Sequence, residues 1–323
     1  MRVLVTGGAG FIGSHLAEAL LARGDQVAIL DCFEPFYAEE VKRRNLAPAL
    51  AGGGSLIEAD LRDAGAFLAA LRRFGPELVV HLAARAGVGP SLEQPALYLE
   101  LNVTATLNVL EACRQAGVER LVVASSSSVY GLNRSVPFKE SDRTAAPASP
   151  YGATKAATEL LCHTYHHLHG LGITCLRFFT VYGPRQRPDM AIHKFARLLA
   201  AGRPVKLYGT GSARDYTYVS DAVDGVVRSI DRVDGFRLYN IGSGRRIELE
   251  TVVSELGQAL GVTPRIERAG WQPGDVVQTL ADIELARAEL GYEAAVPFPE
   301  GVRKFAAWFL AEHSPALQSR PQS

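Results

Sequence analysis

Short apolar runs and longer amphipathic stretches alternate along the first half of the 323-residue chain. The apolar runs have the length of buried strands, and the stretches between them repeat apolar positions at helical spacing. This alternation predicts a parallel sheet that is covered by helices on both faces. The predicted strands are 2–6, 27–30, 56–57, 78–82, 121–125, 173–178 and 237–241, and the predicted helices lie near 13–23, 64–74, 96–116 and 153–169.

The alternation becomes less regular after the strand at 173–178, and prolines and turns are common from 183 to 220. We therefore predict an α/β protein: a Rossmann-type doubly wound parallel sheet with a smaller C-terminal α/β substrate domain. The expected nucleotide-binding domain is 1–177 plus about 231–244, and the smaller domain comprises 178–230 and 245–313. Residues 314–323 are polar and are expected to form a flexible tail.

Composition excludes several classes of partner. The formal net charge is zero and no basic stripe stands out, which argues against nucleic acid. No apolar run approaches the ~20 residues that span a bilayer, and no signal peptide precedes the first strand. The four cysteines lack metal-ligand spacing, so we interpret them as reduced thiols in a cytoplasmic protein.

The first strand is followed by a glycine-rich turn, V-T-G-G-A-G-F-I-G-S-H-L. Gly7 permits a tight turn, Gly10 lets backbone N–H groups approach a pyrophosphate, and Gly13 begins a helix whose N-terminus favours that charge. Because strand, glycines and helix occur in this order, the turn predicts a dinucleotide site that includes Phe11 and Ile12.

Asp31 ends the second strand, 18 residues beyond Gly13. A carboxylate at this position accepts hydrogen bonds from a ribose diol and repels a 2′-phosphate, which selects NAD over NADP. The alternative is a solvated acid at a strand end. Further cofactor contacts are expected from two later strand ends and the start of a helix: Asp60, Leu61, Leu82, Ala83, Ala84 and Asn102.

The sequence S-P-Y-G-A-T-K places Tyr151 and Lys155 four residues apart on one helical face. A nearby ammonium lowers the pKa of a phenol, so the tyrosine can act as a general base; a solvated helix face is the alternative. With the glycine-rich turn and the strand end A-S-S-S-S-V-Y-G, this pair resembles the extended short-chain dehydrogenase/reductase family over nearly the whole chain. The resemblance implies that Ser126 hydrogen-bonds the reacting hydroxyl.

No acid follows Ser126 at the end of that strand. Nucleotide-sugar 4,6-dehydratases resemble this frame but carry Asp-Glu where this chain has Ser127 and Ser128, and UDP-glucuronate decarboxylases commonly carry Glu at the second position. The resemblance therefore implies reversible hydride transfer alone, which is epimerisation. The alternative is that the serines only satisfy backbone groups at the strand end.

The run L-R-F-F-T-V-Y-G-P-R-Q-R-P-D-M-A-I-H-K-F, at 176–195, is similar to the matching segment of UDP-glucuronate 4-epimerases, as are 31–46 and 271–276. The resemblance implies that Thr180 and Arg187 face the sugar carboxylate, which suits a guanidinium fork. It also implies nucleotide contacts from Tyr208 at the uracil, Arg214 at the diphosphate and Asp275 at the ribose.

One position departs from that group. Many glucuronate epimerases read A-G-V-R where this chain has Ala-Gly-Val-Gly, ending at Gly89, so an arginine near the sugar is absent. Arg85 is a candidate to compensate. Epimerisation of UDP-glucose or UDP-xylose therefore stays open. A decarboxylase and a non-catalytic NAD(H)-binding regulator are less favoured, and the presence of Tyr151 and Lys155 argues against the regulator.

His163, His166 and His167 share a helical stretch, but no acid or cysteine pattern accompanies them, so no metal site is predicted. In the family, this helix packs in a dimer interface. We therefore expect a homodimer through the helices at 96–116 and 153–169.

Overall fold

The computed structural model describes residues 1–209, 211–271, 274 and 276–318. Its strands are β1 (Arg2–Thr6), β2 (Gln26–Asp31), β3 (Ser55–Glu58), β4 (Leu78–His81), β5 (Arg120–Ser126), β6 (Gly172–Phe178), β7 (Thr180–Tyr182), β8 (Val205–Tyr208), β9 (Ala213–Tyr218), β10 (Phe236–Ile241), β11 (Arg246–Glu248) and β12 (Ile266–Ala269).

Seven strands form the main sheet in the order β3-β2-β1-β4-β5-β6-β10, and all neighbours are parallel. The strand order reverses at β1, which pairs with β2 on one side and β4 on the other. A crevice forms at such a reversal, outside the carboxyl ends of the strands. The predicted fold class, a doubly wound parallel sheet, is confirmed.

The helices are α1 (Phe11–Ala22), α2 (Glu39–Ala51), α3 (Ala64–Phe74), α4 (Val88–Glu93), α5 (Pro95–Tyr98), α6 (Ala105–Ala116), α7 (Pro150–His169), α8 (Ala191–Ala200), α9 (Val219–Ile230), α10 (Leu249–Leu260), α11 (Glu284–Leu290) and α12 (Phe298–Gln318). A π-helical segment, Leu99–Thr104, joins α5 to α6. The helix predicted at 96–116 is therefore a continuous helical run with a widened turn.

Both faces of the main sheet are buried, as a parallel sheet requires. Side chains of β1 alternate between two apolar clusters: Val3 and Val5 belong to one, and Leu4 belongs to the other. Helices α1 and α9 cover the first face, and α3, α6 and α7 cover the second. The strand ends of the main sheet therefore lie between two helical layers.

The remaining strands form a three-stranded sheet, β11-β9-β7, and a β8–β12 pair. The chain leaves the main sheet after β6 and returns as β10, which lies beside β6 as the pattern at 237–241 predicts. The proposed domain limits stay a prediction. Helix α12 continues to Gln318, which extends into the segment expected to be a tail, and 319–323 lie outside the described residues.

Candidate active site

A cavity of about 680 Å³ opens at the carboxyl ends of β1, β2, β4 and β5. It receives residues from the glycine-rich turn, the strand ends, α7 and the segment that precedes α8. Of the residues predicted from the sequence, the cavity brings together Gly7, Gly10, Phe11, Ile12, Gly13, Asp31, Asp60, Leu61, Leu82, Ala83, Ala84, Ser126, Ser127, Ser128, Tyr151, Lys155, Thr180 and Arg187. Their individual roles stay predictions.

At Gly7 and Gly13 the glycine-rich turn has no room for a side chain. Gly7 has φ +68°, and a Cβ there would lie 2.7 Å from the backbone of Ala83. A Cβ on Gly13 would lie 2.3 Å from the Gly7 carbonyl oxygen, whereas one on Gly10 would meet only that oxygen, at 3.0 Å. The turn is therefore closed toward the protein and open toward the cavity at the start of α1. These residues fit a dinucleotide pyrophosphate.

The Asp31 carboxylate is buried and oriented by the backbone. It accepts hydrogen bonds from Ala9 N at 3.1 Å and from Phe33 N at 2.8 Å. Each carboxylate oxygen can accept more than one hydrogen bond. Asp31 therefore has capacity for a ribose diol while its position is held from both sides.

A buried polar chain supports the neighbouring strand end. His81 Nδ1 lies 2.8 Å from Thr6 Oγ1, and His81 Nε2 lies 3.0 Å from Thr106 Oγ1. Burial lowers the pKa of His81 to about 3, so the ring is neutral at physiological pH. These hydrogen bonds connect β1 to β4 beneath Leu82 and Ala83. The sequence reasoning did not identify them.

Tyr151 and Lys155 both reach the cavity, because α7 begins immediately before them. Ser149 caps the helix by accepting from Gly152 N at 3.1 Å, and Pro150 occupies the first helical position. The Lys155 Nζ donates to the Ala124 carbonyl oxygen at 2.8 Å. The lysine therefore bridges α7 to the end of β5.

Burial shifts the pKa of both members of this pair. Burial raises the pKa of Tyr151, and the groups that oppose this rise are the Ser126 hydroxyl and the Arg187 charge. Burial also lowers the pKa of Lys155 to about 8. The Lys155 ammonium is hydrogen-bonded to Ala124, and its effect on the pKa of the phenol stays a prediction.

The four serines of the strand end have different surroundings. Ser126 Oγ accepts from Ser128 N at 3.2 Å and also lines the cavity. Ser127 and Ser128 line the cavity as well. Ser125 donates to Glu159 Oε1 at 2.5 Å. All four serines thus border the cavity, and Ser125 also binds α7.

Glu159 belongs to a buried network that the sequence reasoning missed. Its carboxylate accepts from Arg177 Nε at 2.9 Å and from Arg177 Nη2 at 2.8 Å. Arg177 also donates to Tyr130 Oη at 3.0 Å. Glu159 lies one helical turn after Lys155, so this network fixes α7 against β5 and β6. The signal in the sequence that could have indicated this network is Glu159 itself, an acidic residue four positions after Lys155.

Arg187 lines the cavity, but its guanidinium is already engaged. Nε lies 3.0 Å from Asp189 Oδ1, and Nη2 lies 3.0 Å from Asp189 Oδ2. Its guanidinium carbon lies 5.3 Å from the Phe36 ring centre. Thr180, at the start of β7, lines the same cavity.

The segment between β2 and α2 and the first turn of α2 contribute wall residues that the sequence reasoning did not name: Glu34, Phe36, Tyr37 and Lys42. Similarity of 31–46 to the epimerases pointed to this loop, but not to individual side chains. The Tyr37 hydroxyl is buried and has no hydrogen-bond partner among the described residues. Lys194, which is exposed, adds a cation to the wall.

Three predicted residues do not line this cavity. Asn102 is buried inside the helical run, where its amide group bonds Arg85 and Thr154. Asn102 was expected at the start of a helix, but it lies inside one. Its hydrogen bonds support the cavity wall from outside the cavity. Tyr208 ends β8, and Arg214 lies in β9, where Nη1 donates to Ser212 Oγ at 3.0 Å. Asp275 lies outside the described residues.

The histidines of α7 have other partners. His166 Nδ1 lies 2.9 Å from the Leu171 carbonyl oxygen, and the His163 ring packs edge-on against Phe236. Among the described residues, no group of three or more potential ligands could hold a metal ion.

No helix in the described part of the chain is long and apolar enough to cross a membrane.

Comparison with known proteins identifies the family of this chain. The family model of the NAD dependent epimerase/dehydratase family matches residues 3–242. UDP-glucuronate 4-epimerase 1 of Arabidopsis thaliana is 41% identical, over 96% of this chain and 77% of that protein.

Two solved structures are similar over almost their full length. UDP-glucose 4-epimerase of Thermus thermophilus in complex with NAD is 38% identical, with a TM-score of 0.87 and coverage of 96% of this chain and 99% of that one. UDP-glucuronic acid 4-epimerase of Bacillus cereus in complex with UDP-glucuronic acid and NAD is 33% identical, with a TM-score of 0.89 and coverage of 97% and 100%. The chain therefore belongs to the NAD dependent epimerase/dehydratase family, as its motifs predict.

Proposed function

We propose that this protein is an NAD-dependent UDP-sugar 4-epimerase that interconverts UDP-glucuronate and UDP-galacturonate. The observation that carries the proposal is the strand end beside Tyr151: it presents Ser126, Ser127 and Ser128 to the cavity, with no carboxylate among them. Such a site can move a proton at a sugar hydroxyl but lacks the acid that the dehydratases use for elimination. The relatives named as UDP-glucuronate 4-epimerases support the choice of sugar.

Tyr151 is the proposed general base. Its phenol lines the cavity, next to the Ser126 hydroxyl and within electrostatic reach of Arg187. Both groups favour the phenolate, so the tyrosine can accept the proton of the sugar C4 hydroxyl and later return it. Lys155 positions this end of α7 through its bond to Ala124.

The glycine-rich turn and Asp31 would hold NAD, with the pyrophosphate at the start of α1 and the adenosine ribose at the end of β2. When bound, NAD would supply the acceptor and donor of the hydride exchanged at sugar C4. Inversion requires the 4-keto sugar to turn over between removal and return of the hydride. The short side chains of Ser127 and Ser128 leave space for that turn.

The 4-keto form of a glucuronate is a β-keto acid, which loses carbon dioxide readily. An epimerase must therefore hold the carboxylate in a geometry that disfavours this loss. Thr180 and Arg187 are the proposed contacts, because both line the cavity and Arg187 lies within electrostatic reach of Tyr151.

Incubation of the NAD-loaded protein with UDP-glucuronate, UDP-glucose and UDP-xylose, followed by NMR, tests the proposal. We expect UDP-galacturonate from UDP-glucuronate and no pentose product, because no acid replaces Ser127 or Ser128. Release of carbon dioxide at a rate comparable to epimerisation would make the protein a decarboxylase instead.

Asp31→Ala is expected to weaken NAD binding roughly 10- to 100-fold, because hydrogen bonds to a charged group contribute about 1.5–3 kcal/mol. It should also relax discrimination against NADP. Asp31→Asn is the matched variant, since its amide oxygen can still accept from Ala9 or Phe33 but carries no charge. Calorimetric titration with both cofactors checks this, and an unchanged preference in both variants would move the selectivity elsewhere.

A homodimer is proposed through α7 and the helical run at 95–116. Leu160 and Leu168 of α7 are 70% and 63% exposed, and Leu99 and Leu107 of the packed helical run add further exposed apolar surface. Leu160→Asp is expected to convert the dimer to a monomer in light scattering after size exclusion. Leu132→Asp, equally exposed but in a loop, is the control; a monomeric wild type would refute the interface.

A cytoplasmic location is also proposed. All four cysteines of the sequence are free in the structure. Three of them are buried, and free thiols persist in reducing compartments.

A further inference from the structure

The cavity wall around Phe36 holds two arginines, and each of them is paired with its own carboxylate. Arg187 binds Asp189 through two hydrogen bonds of 3.0 Å. Arg85 Nη1 binds the carboxylate of Glu34, and its guanidinium carbon lies 4.6 Å from the Phe36 ring centre. The two cations are therefore compensated by two anions before any substrate enters.

The pairing of Arg187 leaves a defined part of the guanidinium available. Asp189 occupies the edge formed by Nε and Nη2. Nη1 makes no hydrogen bond within the described part of the chain, and an arginine carries five N–H donors in a fixed fork. The remaining edge, formed by Nη1 and Nη2, can bind a second acceptor without displacing Asp189.

We propose that Asp189 sets the charge selectivity of the sugar pocket: by compensating Arg187, it makes the pocket accept a neutral UDP-hexose as well as a UDP-hexuronate. This inference rests on the proposed function and names the substrate class more closely. Asp189 acts through Arg187 and is a positioning residue.

The physical argument compares the two sugars. A hexuronate carboxylate on the free edge of Arg187 shares one guanidinium with Asp189, so repulsion between two carboxylates offsets part of the attraction. A neutral hydroxymethyl group at the same place leaves the Arg187 charge paired, because Asp189 already compensates this part-buried cation. Compensation of Arg187 by Asp189 therefore weakens the electrostatic attraction for the acidic sugar. It also removes the cost of leaving Arg187 unpaired when the neutral sugar binds.

A neighbouring donor suits either substituent. The Tyr37 hydroxyl is buried without a partner among the described residues, and it lies within electrostatic reach of Arg187 and Asp189. A phenol can donate to a carboxylate oxygen or to a sugar hydroxyl. Gly89 presents no side chain, and the position that a Cβ would occupy is open space.

The test is Asp189→Asn, which keeps the shape of the side chain and removes its charge. We expect the ratio of kcat/KM for UDP-glucuronate to kcat/KM for UDP-glucose to rise at least about tenfold, mainly through KM for the acidic sugar. Asp189→Glu should restore a ratio near that of the wild type. Asp224→Asn is the matched control, because Asp224 forms an exposed pair with Arg228 on α9, and its ratio should not change.

Three outcomes would overturn the proposal. An equal loss for both sugars would mean that Asp189 only holds the loop before α8. A selective loss for UDP-glucuronate would mean that orientation of Arg187 outweighs its compensation, and an unchanged ratio would remove Asp189 from selectivity.

A binding experiment separates this inference from the proposed function. Calorimetric titration of NAD-loaded Tyr151→Phe protein, with and without Asp189→Asn, gives Kd for both UDP-sugars without turnover. If the wild type epimerises neither sugar, the proposed function fails. The Kd ratio still decides the role of Asp189: an increase of about tenfold in favour of UDP-glucuronate supports it, and no change refutes it.

Discussion

Tyr151→Phe is expected to reduce kcat by ~10²–10⁴-fold while NAD stays bound, since positioned acid–base groups contribute about that much. The substitution removes only the hydroxyl. The phenyl ring would keep its edge-on contact with Tyr98, whose ring centre lies 6.2 Å away. Loss of turnover with intact cofactor binding would therefore report proton transfer and not a change in packing.

Tyr165→Phe is the matched control, because it removes a phenol from the same helix. Its hydroxyl donates to Glu111 at 3.2 Å, away from the cavity. We expect near wild-type turnover. Activity of Tyr151→Phe within about tenfold of the wild type would show that Tyr151 is not the general base.

Arg187→Ala is expected to lower kcat/KM for UDP-glucuronate roughly 30- to 1,000-fold, which corresponds to ~2–4 kcal/mol for a carboxylate that loses its charged partner. Asp189 would remain in the wall without its cation and would repel the acidic sugar. UDP-glucose carries no sugar carboxylate, so its loss should be much smaller. Kinetics with both sugars measure the difference.

The same variant should change the pH profile. The Arg187 charge lowers the pKa of Tyr151, so its removal raises that pKa. A general base works in its deprotonated form, and the rising limb of activity should therefore move to higher pH for both sugars.

Arg197→Ala separates selectivity from loop support. Arg197 donates to the Pro188 carbonyl oxygen at 3.2 Å and so holds the same loop without lining the cavity. If Arg187→Ala and Arg197→Ala cause equal losses for both sugars, Arg187 only supports the loop. No loss in Arg187→Ala would remove Arg187 from the site.

Local patterns were sufficient for the main sheet and the cofactor turn. The strands of the doubly wound sheet are short apolar runs whose two faces are both buried, so hydrophobicity alone marks them. The spacing of Gly7, Gly10 and Gly13 reflects close backbone contacts of the turn itself. Tyr151 and Lys155 are one helical turn apart, so they had to share a face wherever α7 was placed.

The partners of those residues were decided only by tertiary structure. Four consecutive serines look alike in the sequence, but Ser125 also binds Glu159, which lies 34 positions away on α7. Arg85 reaches Glu34 across 51 positions, and Asn102 reaches Thr154 across 52. Such pairs depend on which strand ends meet at the carboxyl edge of the sheet, and no local periodicity encodes that.

The charge of the sugar pocket was likewise predicted only in part from the sequence. The sequence by itself indicated that Arg187 belongs to the site, because its segment resembles the glucuronate epimerases. It did not show that Asp189 compensates this arginine, since a pair two residues apart forms only when the backbone turns both side chains to one side. The sequence thus determined the fold, the cofactor turn and the candidate base, whereas the packing of loops over the sheet decided the electrostatics of the pocket.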